Sequence, residues 1–126
     1  GESGKVNGRH TGGTPYVPSP ALVGDRLYFT AMNDAQLTVL DAKTGKPVLE
    51  KERLPQARQF YGSPVTAAGR VVFSHRGRTS GVVDGTLRKI QSSPFGSGEV
   101  FDASPVPVGN QLFLRSDKAL YCIEGK

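Results

Sequence analysis

Tryptophan is absent from the 126 residues, and cysteine and methionine occur once each. The single thiol, Cys122, rules out an internal disulfide and any metal cluster built on cysteines. No uncharged apolar run approaches the roughly 18–20 residues that a membrane helix needs, so no helical membrane span is expected. The first residues do not join a basic start to an apolar stretch, and no signal peptide is visible there. A sustained 3.6-residue apolar pattern is missing as well, which leaves almost no helix to expect. Glycine (16) and proline (9) are instead plentiful. Together they are about a fifth of the chain, against roughly 12% in average usage, and this points to many turns.

The chain repeats itself. Ser-Pro recurs at 19–20, 63–64 and 104–105, and each copy opens the same design: SPALVGDRLYF, SPVTAAGRVVF and SPVPVGNQLFL. Apolar residues alternate on both sides of a turn: Ala21 and Val23 then Leu27 and Phe29, Val65 and Ala67 then Val71 and Phe73, Val106 and Val108 then Leu112 and Leu114. Period-two alternation rich in β-branched and aromatic residues signals half-buried strands. Between the strands stand Gly24-Asp25, Ala68-Gly69 and Gly109-Asn110, residues suited to tight hairpin turns. A third strand follows in QLTVLD (36–41), TSGVVD (79–84) and ALYCIE (119–124), and a weaker fourth in PVLEKERL (47–54) and TLRKIQSS (86–93).

Four antiparallel strands recurring every 40–50 residues or so describe the blade of a β-propeller. A β-sandwich also has short strands at close spacing, but it does not require the same turn and the same Ser-Pro three times. The expected fold is therefore all-β: antiparallel four-stranded blades, about three repeats, a partial propeller. The blades are placed at 14–58, 59–99 and 100–126, the last of them partial, after a disordered leader over 1–13.

VLDAKTGKPVL (39–49) resembles the repeat signature of PQQ-like β-propeller proteins: an acid, two residues, Thr-Gly, three residues and a tryptophan. Asp41, Thr44 and Gly45 fall on that pattern, Leu49 stands at the tryptophan position, and the second copy keeps only Asp84-Gly85. TPYVPSPALVGDRLYF, QFYGSPVTAAGRVVF and VFDASPVPVGNQLFLRSDKALYCI likewise resemble the closing blades of bacterial PQQ-like repeat proteins, so the resemblance covers residues 14–126. The pattern has a physical basis, since Asp41 can accept backbone N–H bonds, Thr44 can bond locally and Gly45 can take a left-handed conformation. The resemblance implies a scaffold or binding module placed outside the cytoplasm, periplasmic or secreted. Its alternative is the C-terminal part of a larger PQQ-dependent quinoprotein-like enzyme.

Several residues that could serve as sites have plainer roles. GESGKV (1–6) lacks the first glycine, the preceding strand and the hydroxyl residue of a phosphate-binding loop. Enzymes of the quinoprotein type hold PQQ and calcium with a catalytic aspartate and a stacking tryptophan, and no tryptophan is present here. Asp41, Asp84 and Asp102 could offer calcium carboxylates, but read better as turn acids. No catalytic, cofactor or metal residues are therefore expected, and no enzyme activity. His10 and His75 read as solvated loop residues, and Ser19, Ser63 and Ser104 as structural hydroxyls that bond backbone where the strands begin.

The net charge is +5, and residues 70–89 carry +4 of it. Arg70, Arg76, Arg78, Arg88 and Lys89 form a candidate patch for an anionic partner, although no row of aromatic side chains accompanies them as nucleic-acid stacking would need. Three blades are too few to close a propeller. The expected partner is accordingly a second copy completing a ring, or the remainder of a longer parent chain.

Overall fold

The computed structural model describes residues 4–6, 8–12, 14–15, 17–31, 34–54, 58–67, 69–74, 79–84, 90–94 and 98–124, with backbone alone for 79–84 and 90–94. Eleven strands are seen among them, in three separate antiparallel sheets. Blade one is β1 (Ala21–Val23), β2 (Arg26–Thr30), β3 (Gln36–Asp41) and β4 (Pro47–Arg53). Blade two is β5 (Val65–Ala67), β6 (Arg70–Phe73), β7 (Thr79–Asp84) and β8 (Ile90–Pro94). In blade three β9 (Val106–Val108), β10 (Gln111–Arg115) and β11 (Leu120–Glu124) are described. Each sheet is a meander in chain order. A further Ser-Pro pair, 93–94, ends β8 and lies outside the repeat. That strand begins at Ile90, and residues 86–89 of its expected span lie outside the described residues.

The hairpin turns are as short as the sequence suggests. Val23 pairs with Arg26 across Gly24-Asp25, and Val108 with Gln111 across Gly109-Asn110. Gly24 (φ 56°) and Gly109 (φ 58°) both occupy the left-handed region at the first turn position, where a side chain would be strained. Contacts between blades join β1 to β5 and β5 to β9. The first strand of every blade is thus innermost, and the sheets fan out from a common axis.

Blades one and two enclose the core. Tyr28, Leu37 and Val39 of blade one meet Phe60, Val71 and Phe73 of blade two, with Val23 and Leu49 packed at the margin. Phe60 and Phe73 meet edge to face, ring centres 6.0 Å apart, a favoured aromatic geometry. Leu49, at the signature's tryptophan position, thus lines this seam.

Strand pairing fixes which apolar residues share a face. Ala21 pairs with Tyr28 and Val23 with Arg26, and directly paired residues share one face of a sheet. Leu27 and Phe29 therefore point to the opposite face from Ala21 and Val23. In blade two Val71 and Phe73 point away from Val65 and Ala67 in the same way, since Val65 pairs with Val72. A blade lies between two neighbours and needs apolar residues on both faces, so alternation alone could not tell one from the other.

Candidate functional site

The groups that recur in the repeat meet at the seams between blades. Ser19 donates its backbone N–H to Ser63 Oγ at 2.8 Å, and Ser63 donates its own N–H to Ser104 Oγ at 2.8 Å. The Ser63 and Ser104 hydroxyls do bond backbone near the start of their first strands, as the sequence suggests, but the backbone belongs to the preceding blade. The result is a stitch of one direction, from the N–H of each blade to the hydroxyl of the next.

The second seam is tighter still. Ser74 Oγ donates to the Ala103 carbonyl at 2.7 Å. Gly62 lies so near that a Cβ there would stand 2.5 Å from Ser74 Oγ and 2.6 Å from the Ala103 oxygen. In blade one Thr30 holds the position of Ser74, fully buried, and its hydroxyl has no hydrogen-bond partner among the described residues.

The signature turn has the expected form. Asp41 Oδ1 accepts from the N–H of Lys43 (2.9 Å) and of Thr44 (2.8 Å), and Thr44 Oγ1 accepts from the N–H of Lys46 at 3.3 Å. Gly45 takes φ 70° and donates its N–H to the Asp41 carbonyl at 2.8 Å. The two donated N–H groups, Thr44 first, hold the Asp41 carboxyl below the usual aspartate range. An exposed ion pair, Lys43 Nζ to Asp25 Oδ2 at 3.0 Å, ties this turn to the hairpin of β1 and β2.

Blade three carries a polar cluster that sequence reasoning missed. Tyr121 donates its hydroxyl to Glu99 Oε1 at 2.5 Å. The Ser116 and Tyr121 hydroxyls hold the Glu99 carboxyl below its ordinary range, and Glu99 in turn pushes the Tyr121 phenol up. Ser116 Oγ also accepts from the N–H groups of Lys118 (3.0 Å) and Ala119 (2.9 Å). Beside it lies a shallow cavity of about 230 Å³ lined by Val100, Asp102, Ala103, Arg115, Ser116 and Asp117. These residues lie outside the recurring Ser-Pro segments, so no repeat marked them. A second cavity, about 240 Å³, separates Gly8, Arg9 and His10 from the signature turn.

His10 is a correction. Expected in solvent, it is half-buried, with its ring edge-on to Phe29 at 5.9 Å and its Nε2 enclosed. Phe29 lies on the outward face of blade one, and an apolar ring there draws the imidazole onto it.

Of the basic patch, Arg70 is exposed at the start of β6; Arg76, Arg78, Arg88 and Lys89 lie outside the described residues, as does His75. The three acids considered for calcium are not brought together by what is described. Asp41 is engaged in its own turn, Asp102 is exposed ahead of β9, and the side chain of Asp84 lies outside the described residues. Among the described residues no group of three metal-ligating side chains gathers, and there is no helix long and apolar enough to cross a membrane. The donor set on view does not fit a quinone–calcium site.

Radial sheets in meander order, inner strands meeting at an axis and apolar seams between them define β-propeller blades. Comparison with solved structures supports the propeller fold. BamB from Moraxella catarrhalis matches with a TM-score of 0.64 at 17% identity, over 83% of this chain and 32% of its own. A quinohemoprotein alcohol dehydrogenase from Pseudomonas putida matches with a TM-score of 0.60 at 17% identity, over 79% of this chain and 21% of its own. The chain thus spans about a third and a fifth of the lengths of these two proteins. No protein-family model and no curated sequence matches it.

Proposed function

We propose that the chain is a non-catalytic β-propeller scaffold, a binding module whose blades hold a surface for a protein or ligand partner. One observation carries this reading. Polar groups that the repeat brings back — the Ser63 and Ser104 hydroxyls of the seams and Asp41 of the signature turn — are engaged in hydrogen bonds that join blades or close turns. Groups used in that way position backbone; they are not presented to a substrate.

The similarity to a quinohemoprotein alcohol dehydrogenase supports a second reading, in which the chain belongs to a larger quinoprotein-like enzyme. Calorimetric titration with PQQ and calcium separates the two. The scaffold reading expects no saturable heat. Saturable binding at micromolar concentration would overturn it and favour the enzyme.

A further inference from the structure

Blades one and two each end in an outer strand, β4 and β8, that pairs on one side only among the described residues. Since the first strands meet at the axis, these last strands lie on the rim. Blade two stands between blades one and three; stacking covers its faces and does not reach its rim. An unpaired edge is a row of N–H and C=O groups that templates a further strand, unless charges, bulges or proline blunt it.

β4 is blunted in each of these ways. Glu50, Lys51, Glu52 and Arg53 are charged and exposed in succession. The register with β3 is broken twice, between Leu37 and Val39 and between Val39 and Leu40. At the break Lys51 takes φ 51°, and its N–H is turned to Thr38 Oγ1 at 3.2 Å. Pro47 opens the strand.

β8 carries little of this. Ile90–Pro94 reads IQSSP, without a charged residue. It pairs with β7 residue by residue, from Thr79 with Pro94 to Val83 with Ile90, and the register does not break. Pro94 blunts the last position alone. At the ordinary strand rise this is a regular edge about 17 Å long.

We propose that the β8 edge takes an extended, acidic peptide of a partner protein as a fifth strand of blade two. Strand addition draws its affinity from main-chain hydrogen bonds and its specificity from alternate side chains. Charge selects the acidic partner: residues 70–89, which run up to β8, hold +4, whereas a second copy of the chain brings the same +5 and is repelled. The proposal rests on the binding-module reading and names its partner. A chain that binds neither PQQ nor peptide keeps the scaffold role and loses only this edge.

Amide hydrogen exchange of the full chain, with and without a short synthetic peptide of alternating valine and glutamate, tests it. The expected result is slowed exchange in Ile90–Pro94 and no change in β4. The same peptide N-methylated at alternate residues keeps its charge and loses main-chain donors, so it should bind about tenfold more weakly or worse. A version with lysine for glutamate should also bind at least about tenfold more weakly. Exchange in β8 that no peptide concentration slows overturns the proposal. Equal binding of the N-methylated peptide does so too, since attraction to charge alone then explains it, and equal binding of the lysine peptide removes the acidic partner. Protection of β8 that grows with protein concentration in the absence of peptide also overturns it, because a second copy then holds the edge.

Discussion

A single methyl group at Gly62 would press on the closest point of the second seam. Its Cβ would stand 2.5 Å from Ser74 Oγ, 2.6 Å from the Ala103 oxygen and 2.9 Å from the Ala103 carbon. The hydroxyl can rotate away, but only by giving up its 2.7 Å bond to that oxygen. The carbonyl is backbone and moves only with blade three. Overpacking of this kind costs about 1–3 kcal/mol, and the lost hydrogen bond adds about 1 kcal/mol. Gly62→Ala should therefore destabilise the chain by about 2–4 kcal/mol. Ser74→Ala should cost about 1–2 kcal/mol, since it leaves the Ala103 oxygen unpaired. Both changes act on the same bond, so the double variant should fall short of the sum. Urea denaturation followed by circular dichroism reads all three, with the slope m checked for constancy. A Gly62→Ala variant within about 0.5 kcal/mol of the parent, inside the range of ordinary surface changes, would refute the close approach of the blades.

Other outcomes follow from the same seams and turns. Thr30→Val replaces a buried, unpaired hydroxyl by a methyl of the same shape and should stabilise the fold by about 1 kcal/mol; a loss of that size in thermal unfolding would mean that the hydroxyl is bonded. The Asp41 carboxyl titrates below its ordinary range, so its contribution is complete above the unfolded pKa and disappears as pH falls through the lower folded value. Acid unfolding of Asp41→Ala should be shallower in that window, and an identical acid limb would count against the turn. Tyr121 is pushed up by Glu99, so its neutral form favours the fold below the ordinary phenol range and that preference is lost at higher pH. Ultraviolet titration should show the Tyr121 phenol ionising above its ordinary range, and Glu99→Gln should bring it down. The +4 charge on residues 70–89 should retain the chain on heparin with a steep salt dependence; retention unchanged by salt would exclude an electrostatic origin.

Much of this architecture is readable in the sequence because it is periodic. The Ser-Pro recurrence locates the first strands, Gly24 and Gly109 mark the hairpins, and the Asp41–Thr44–Gly45 spacing specifies a turn closed by local bonds. What concerns relations between repeats is not readable. Alternation does not say that Leu27 and Ala21 lie on opposite faces, because it carries no sign once both faces of a sheet are covered. The serines announce themselves three times, yet nothing local says that the Ser63 and Ser104 hydroxyls bond the blade before them. Gly62 looks like any loop glycine until Ala103, 41 residues on, is set against it. His10 has no partner in its own segment and is placed only by Phe29, a residue of another element. Glu99 and Tyr121 form a pair without a motif.

Because every sheet is a meander complete within its own stretch of chain, its hydrogen-bonded ladder closes before the next blade is needed. Such sheets can form early through short-range pairing, while the stacking of their faces comes afterwards as a separate nearest-neighbour process. Stability is then a property of neighbours in a row. In evolution the same modularity lets duplication of one unit of 40-odd residues add a blade, leaving the sheets already present with their strands and turns unchanged.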